Sequence, residues 1–143
     1  MAFSAKTEYG LVALMELAAA HATGTRVQTG EICRRHGMPE RYLEQMLTAL
    51  RKGGYLASVR GPKGGYQLTR APESITIAEV EACLEGDSRS ERQGDRDDTE
   101  FKVLDALAKR VQQARVDVLE STTLAHLLLE RDRMREPTPM FYI

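Results

Sequence analysis

The sequence has no long apolar run, and this absence narrows the classes of protein it can encode. No hydrophobic stretch approaches the ~18 residues that a membrane-spanning helix needs. Residues 1–9 contain Lys6 but no apolar segment followed by a cleavage signal, so we expect no secretory peptide. With 42% hydrophobic and 29% charged residues, the composition is typical of a globular protein. We therefore expect a cytoplasmic protein in a bacterial-type cytosol.

Cysteine and histidine are also scarce. The two cysteines, Cys33 and Cys83, are too few to predict a disulfide framework. The three histidines show no metal-ligand spacing: they are His21, His36 and His126. No nucleophile–base pair and no pair of carboxylates indicates a catalytic site. We expect no catalytic residues, no bound metal or other cofactor, and no enzymatic activity.

Charge is present in quantity, but it is unevenly distributed. Residues 1–70 carry ten Lys or Arg against five Asp or Glu, which gives a net charge of +5. Residues 71–143 carry ten basic against sixteen acidic residues, which gives −6. Such an asymmetry indicates a polyanion-binding part joined to a part with another role, although solvated faces of ordinary proteins also carry charge.

The basic half predicts three helices. The first covers residues 4–22 with Ser4 as its cap, and its apolar residues recur at spacings of three and four. The second starts at a Thr29 cap and ends at a glycine, and the third covers residues 39–52. A tight turn with a glycine between the second and third helices is typical of a helix-turn-helix.

A hairpin is predicted directly after the third helix. Residues 55–60 and 66–69 are short β-prone segments, and the Pro/Gly-rich loop 61–65 joins them. A hairpin in this position is a wing. Arg60 and Lys63 lie beside its three glycines, which favours contact with DNA over an ordinary surface hairpin. The predicted fold class is therefore mainly α with a small β-wing.

The acidic half predicts three further helices. Thr76 and Glu79 form a capping box that opens the first of them. Residues 87–99 are polar and predict a mobile loop. A long helix over 99–120 then carries an apolar stripe that exceeds what one helix can bury on a small domain, so we expect it to pair with its copy in a dimer. The stripe consists of Val103, Leu104, Leu107, Val111, Ala114 and Val118. Ser121 is expected to cap a last helix that contains Leu124, Leu127 and Leu128.

Several segments together resemble the Rrf family of bacterial transcription regulators, of the IscR/CymR type. They are 5–11 (AKTEYGL), 42–45 (YLEQ), 50–54 (LRKGG) and 58–66 (SVRGPKGGY). The resemblance implies a winged helix-turn-helix domain over 1–85, a flexible loop over 86–98, dimerisation and regulatory helices over 99–134, and a tail over 135–143. It also implies a homodimer that binds a palindromic promoter site on double-stranded DNA.

One departure from the family concerns metal binding. Its iron–sulfur members carry three cysteines in the loop before the dimerisation helix, whereas residues 86–100 contain none. Cys33 and Cys83 lie on predicted apolar helix faces, which favours small buried thiols. A cluster needs several soft ligands together, so no cluster is expected. An iron–sulfur or thiol-redox-sensing regulator of the same family stays open as the alternative function.

The end of the chain looks like the CymR branch, the repressors of cysteine metabolism. The segments 84–86 (LEG) and 119–124 (LESTTL) carry this likeness together with Met140, Phe141, Tyr142 and Ile143. That branch is similar in its ending to serine acetyltransferase, whose C-terminal isoleucine enters the active site of cysteine synthase. Residues 140–143 are therefore expected to bind cysteine synthase, with the Ile143 carboxylate captured in an amino-acid site. A frayed end, or a tail folded on its own dimer, is the alternative.

For DNA, the recognition helix 39–52 is expected in the major groove with its N-terminal residues toward the base edges. The candidates for contact there are Arg41, Tyr42, Glu44 and Gln45. Glu44 is suited to accept from a cytosine amino group, and Gln45 to bond an adenine edge.

The remaining contacts are expected around the wing and at two helix ends. Arg60 is placed in a narrow minor groove, and Lys63 with the exposed N–H groups of Gly64 and Gly65 meets phosphates. Arg51 and Lys52 are either phosphate contacts or solvated charges that favour the helix dipole. Lys6 is a weaker phosphate candidate.

Overall fold

The computed structural model describes residues 2–86 and 98–136. Their order is α1 (Ala5–His21), α2 (Thr29–His36), α3 (Glu40–Lys52), β1 (Leu56–Val59), β2 (Gly65–Leu68), a 3-10 turn (Pro72–Ser74), α4 (Ile77–Glu85), α5 (Thr99–Ser121) and α6 (Leu124–Arg135). This confirms a mainly helical fold with a two-stranded wing. No helix in these two ranges is long and apolar enough to cross a membrane. Most of the loop predicted as mobile, and the predicted partner-binding residues 140–143, lie outside the described residues.

Side-chain caps fix several helix ends where the sequence predicts them. The Ser4 hydroxyl accepts from the Thr7 backbone N–H (3.2 Å) at the start of α1. The Thr76 hydroxyl accepts from the Glu79 N–H (3.2 Å), and the Glu79 carboxylate accepts from the Thr76 N–H (2.9 Å). Gly37 ends α2 in the left-handed conformation at φ +65°. The start of α1, the end of α2 and the start of α4 are therefore set locally.

Two predicted caps are wrong. Thr29 is the first residue of α2, and Gln28 precedes it without a side-chain cap. Ser121 is the last residue of α5, because its hydroxyl donates to the Asp117 carbonyl one turn back (2.7 Å). The cap of α6 is Thr123, whose hydroxyl accepts from the backbone N–H of His126 (3.2 Å). The break between α5 and α6 thus falls two residues later than predicted.

One hydrophobic core joins α1, α3, α4 and the base of the wing. The apolar stripe of α3 is buried as predicted: Leu43, Met46, Leu47 and Leu50. In the wing, β1 and β2 are antiparallel, with Leu56 opposite Leu68 and both side chains in the core. Helix α6 also packs on α1 and on the 3-10 turn. We call residues 2–86 together with α6 the head.

Helix α5 is joined to the head near its C-terminal end, and we call it the arm. Leu119 is the one buried residue of α5. Just after the arm, the Ile77 N–H donates to the Thr122 carbonyl (2.9 Å), and the Leu124 N–H donates to the Ile75 carbonyl (3.0 Å). These contacts hold one end of the arm against the head.

Candidate nucleic-acid interface

Helix α3 presents a polar face directly opposite its buried stripe. Arg41, Glu44 and Gln45 are exposed on its N-terminal half, and Leu43 and Leu47 are buried behind them. Because four of its side chains are fixed in the core, the helix is a rigid support for the exposed groups. The arrangement is suited to present a carboxylate, an amide and a guanidinium to base edges.

Tyr42 has a different position from the other three α3 candidates. It is half-buried, it packs against the core, and its ring meets the Tyr9 ring edge-on at a centroid distance of 5.4 Å. An edge-to-face pair of this kind stabilises the contact between α1 and α3. Tyr42 therefore positions the recognition helix, and a base contact would have to use its remaining exposed surface.

The last turn of α3 carries Arg51 and Lys52, and both are exposed. Cations at this end of a helix interact favourably with its dipole whether or not DNA is present. The structure is compatible with both roles that the sequence left open.

The wing corrects one prediction about its glycines. The Gly64 N–H is not open to a phosphate, because Gly64 is buried and donates to the Gly61 carbonyl (2.8 Å). A Cβ on Gly64 would overlap the Val59 carbonyl oxygen. Gly65 is paired with Val59 across the hairpin, and a Cβ there would lie 2.6 Å from the Val27 carbonyl oxygen. The two glycines give the wing its tight turn, and its exposed cations are the groups left for DNA.

Those cations are Arg60 and Lys63. Arg60 directly follows β1, Lys63 lies in the turn before β2, and both are exposed. They come from a two-stranded hairpin whose base is anchored in the core, so the structure brings them to one end of the wing. This is the geometry expected of a wing that meets a DNA backbone or groove.

Lys6 lies in the first turn of α1 beside a carboxylate. Glu85 accepts hydrogen bonds from Ser4 and from the buried Thr7 hydroxyl (2.6 Å). These bonds, with a smaller contribution from the Lys6 charge, hold the pKa of Glu85 below its usual value. Lys6 is half-buried and already faces a negative charge, so it remains the weakest of the phosphate candidates.

Two exposed cations of the head were missed by the sequence analysis. Val27 bridges to Tyr66 of β2 through two backbone hydrogen bonds (3.0 and 2.8 Å), which places Arg26 beside the wing. Arg34 is exposed on α2. By contrast, Arg35 binds the buried Glu16 carboxylate, which His36 also contacts (3.0 Å). The polar–apolar–polar order around Val27 covers three residues, which is too short to predict a strand.

The two thiols show none of the features of a reactive or ligating pair. Cys33 is buried on α2, and its pKa is raised by burial and then by the charges of Glu40 and Glu44. Cys83 is half-buried on α4, its thiol donates to the Ala49 carbonyl (3.5 Å), and burial raises its pKa. Redox-active and metal-binding cysteines instead have lowered pKa values.

Comparisons with known proteins agree with this architecture. Residues 3–130 match the Rrf2 family, whose description is iron-dependent transcriptional regulator. The chain is 36% identical over 144 residues to the HTH-type transcriptional regulator CymR of Bacillus subtilis, and the alignment covers 100% of each. It is 41% identical over 86 residues to IscR of Cereibacter sphaeroides, over 59% of this chain and 56% of the relative.

Two solved structures are similar over most of their length. T. potens IscR superposes with a TM-score of 0.78 at 31% identity, over 96% of this chain and 93% of the other. CymR (YrzC), the global cysteine regulator of B. subtilis, also gives 0.78, at 34% identity over 90% and 96%. The residues present do not fit the iron of the family description, since the chain has two cysteines on separate helices. Within 2–86 and 98–136, no three His, Cys, Asp or Glu side chains form a group that could hold a metal ion.

Proposed function

Because the chain belongs to the Rrf2 family of transcriptional regulators and has their winged-helix DNA-binding fold, we propose that it represses transcription as a homodimer on a palindromic promoter site. Its named relatives are regulators and not enzymes, which confirms the prediction that the chain has no enzymatic role. The finer features of the proposal are the dimer, the DNA contacts and the regulated metabolism. Each has its own support and its own test.

The main support for the proposed dimer is the exposed apolar stripe of the arm. Its large side chains are between 49% (Leu107) and 64% (Val103) exposed. Contiguous apolar surface of this kind marks interaction sites in soluble proteins. An apolar groove of about 420 Å³ adjoins it, lined by Phe3, Val118 and Leu119 among others. A second copy of α5 supplies a surface of the same chemistry, and two-fold pairing buries both stripes at once.

The dimer is tested by placing a charge on the stripe. Leu107→Glu buries a carboxylate in the proposed interface, so the variant sediments as a monomer and binds the promoter site at least a hundredfold more weakly, since it loses bivalent attachment. Gln112→Glu introduces the same charge elsewhere on the helix and is expected to stay dimeric. Analytical ultracentrifugation of both variants gives the answer. An unchanged dimer for Leu107→Glu places the interface outside the arm.

The proposed DNA contacts divide into base-reading and phosphate-binding groups. Arg41, Glu44 and Gln45 contact base edges in the major groove, and Arg60 enters a minor groove. The residues proposed to bind phosphates are Lys63, Arg26 and Arg34, with Arg51, Lys52 and Lys6 as weaker candidates. The support is the exposure of all these side chains except the half-buried Lys6, and the positive charge of residues 1–70.

Two wing variants distinguish the groups. Arg60→Ala is expected to cost roughly 1–3 kcal/mol on the preferred site and less on random DNA. Lys63→Ala weakens binding to all sequences alike and reduces the slope of log affinity against log salt by about one. Arg133→Ala on α6, which loses an exposed cation paired with Glu130 (2.9 Å), is the control. The assignment of Arg60 is wrong if its variant keeps the full preference for the selected site.

For the regulated metabolism we propose cysteine synthesis, with residues 140–143 binding cysteine synthase. The support is the end-to-end alignment with B. subtilis CymR and the description of that protein as a global cysteine regulator. Deletion of Ile143 is expected to weaken binding of purified cysteine synthase at least tenfold, about 1.4 kcal/mol, with dimerisation and DNA binding unchanged. Calorimetry measures the affinity, and equal binding before and after the deletion contradicts the proposal.

A further inference from the structure

One side chain of the arm reaches two separate parts of the head. The Arg115 guanidinium donates from Nη1 to one carboxylate oxygen of Glu81 on α4 (2.7 Å) and from Nη2 to the other. Nη2 also donates to the Ala2 carbonyl (2.9 Å), just before the start of α1. A bidentate arginine–carboxylate pair fixes orientation as well as distance, because the planar groups must align.

The Arg115–Glu81 pair is more shielded from solvent than an ion pair on the surface of α6. The side chains of Arg115 and Glu81 are 33% and 19% exposed, whereas the ion pair between Arg133 and Glu130 on α6 is 63% and 56% exposed. Exposed pairs contribute little, but removing one partner of a shielded pair leaves an uncompensated charge. The same end of the arm is also held by the buried Leu119 and, just after the arm, by the backbone hydrogen bonds of Thr122 and Leu124. Among these contacts, the arginine–carboxylate pair is the one that aligns two planar groups.

Because α5 is long, a small change of angle at the Arg115–Glu81 pair, which we call the anchor, becomes a large displacement at the far end of the arm. Between Lys102 and Ala114 all its side chains except Asp105 are exposed. From Arg115 to Val103 the helix extends about 18 Å, and a tilt of about 10° at the anchor displaces the stripe by about 3 Å. The anchor therefore determines how far apart two heads lie when two arms pair.

We propose that Arg115 and Glu81 are positioning residues that set the angle between arm and head, and through it the half-site spacing that the dimer selects on DNA. The inference rests on the proposed function, since it needs two arms paired on a palindromic site. Dimeric helix-turn-helix proteins read two half-sites whose separation mirrors the protein two-fold. Both heads bind together only if the connection between them matches that separation. A rigid anchor makes the dimer selective for one spacing.

The test uses a duplex that the wild-type protein selects from a random pool, its derivatives with one base pair added or removed between the half-sites, and a duplex with one half-site. Glu81→Gln and Arg115→Gln are expected to remain dimers and to bind the single half-site as the wild type does. Both lose about tenfold on the selected duplex, and their preference over the altered spacings shrinks. The exposed-pair variant Arg133→Gln behaves as the wild type.

The exchanged variant, Glu81→Arg with Arg115→Glu, separates positioning from folding. If the exchanged variant melts cooperatively and regains the spacing preference, the proposal is supported. This holds even where one of the single variants melts poorly. Single variants that keep the wild-type spacing preference overturn it. A wild-type protein that is monomeric, or that selects no palindrome, overturns the proposed function itself, and that result needs no variant.

Discussion

The head and the arm contain the same kinds of apolar side chain in opposite surroundings. Leu14, Leu43 and Leu47 of the head are fully buried, whereas Val103 and Val111 of the arm are more than half exposed. The head gains its hydrophobic stabilisation within one chain. The arm gains almost none there, and a helix with an unburied apolar face derives little stability from propensity alone. The difference indicates that the head is stabilised by its own core, whereas the apolar face of the arm is left uncovered within the described residues.

The largest expected effect comes from removing one leucine from each region. Leu47→Ala leaves a cavity in the head and is expected to cost about 3–5 kcal/mol of unfolding free energy at every protein concentration. Leu107→Ala changes the stability of the separate protomer by less than about 0.5 kcal/mol. Its effect appears instead in the concentration dependence of the urea transition. Equal, concentration-independent losses for the two variants would remove the distinction between head and arm.

A smaller effect tests how tightly the head is packed at the wing. Gly64→Ala forces a Cβ against the Val59 carbonyl and is expected to destabilise the head by roughly 1–3 kcal/mol. Gly30→Ala in α2 meets only the end of the Arg34 side chain at 3.5 Å and stabilises by about 0.4–1 kcal/mol. Thermal melting of both variants provides the comparison. A neutral Gly64→Ala would show that the wing turn has room to rearrange.

A contact within the head, between the end of α4 and the start of α1, predicts a pH dependence. Glu85 ends α4, and its pKa is held below the ordinary 4.5 chiefly by hydrogen bonds from Ser4 and Thr7. The carboxylate therefore stabilises the fold above pH 4.5, and this contribution is lost as the pH falls through the lowered pKa. The unfolding free energy of Glu85→Gln should fall less steeply below pH 4.5 than that of the wild type. If the two curves of unfolding free energy against pH are parallel, the lowered pKa of Glu85 does not contribute to stability.

The smallest effect concerns the thiols, both of which belong to the head. Burial raises the pKa of Cys33 and Cys83, so little thiolate is present near neutral pH and alkylation is slow in the folded protein. Cys33 is the more buried and is expected to react more slowly than Cys83. Mass spectrometry after timed exposure to iodoacetamide measures both rates against urea-unfolded protein. Rapid native labelling of either residue would revive the thiol-sensing alternative.

The sequence predicts the head well because its signals are local. The α3 stripe, the Thr76 capping box and the two β-prone segments each lie within a few residues of one another, and the structure confirms them. One wrong prediction arises where two neighbouring hydroxyls compete for one role. Ser121 and Thr123 are both residue types that cap helices. In the structure the Ser121 hydroxyl donates to the Asp117 carbonyl, which leaves Thr123 as the cap, and the sequence does not show this bond.

Contacts between distant elements could not be predicted in the same way. Glu81 and Arg115 are 34 positions apart, and the spacing of apolar residues does not determine how α4 and α5 cross. The bridge from Val27 to Tyr66 is a single residue pair and leaves too short a pattern to indicate a strand. The interface candidates were predictable as residue types. Their burial, which separates Tyr42 and Gly64 from Gln45 and Lys63, was not.

The exposed stripe of the arm also has a consequence for gene dosage. If assembly depends on that surface, the population of paired protomers rises with the square of chain concentration while most chains are single. Halving the expression of the protein then lowers promoter occupancy about fourfold in this regime, by mass action. The six aliphatic side chains of the stripe would in this way make the response of the regulated genes steeper than linear in chain concentration, without any small-molecule effector.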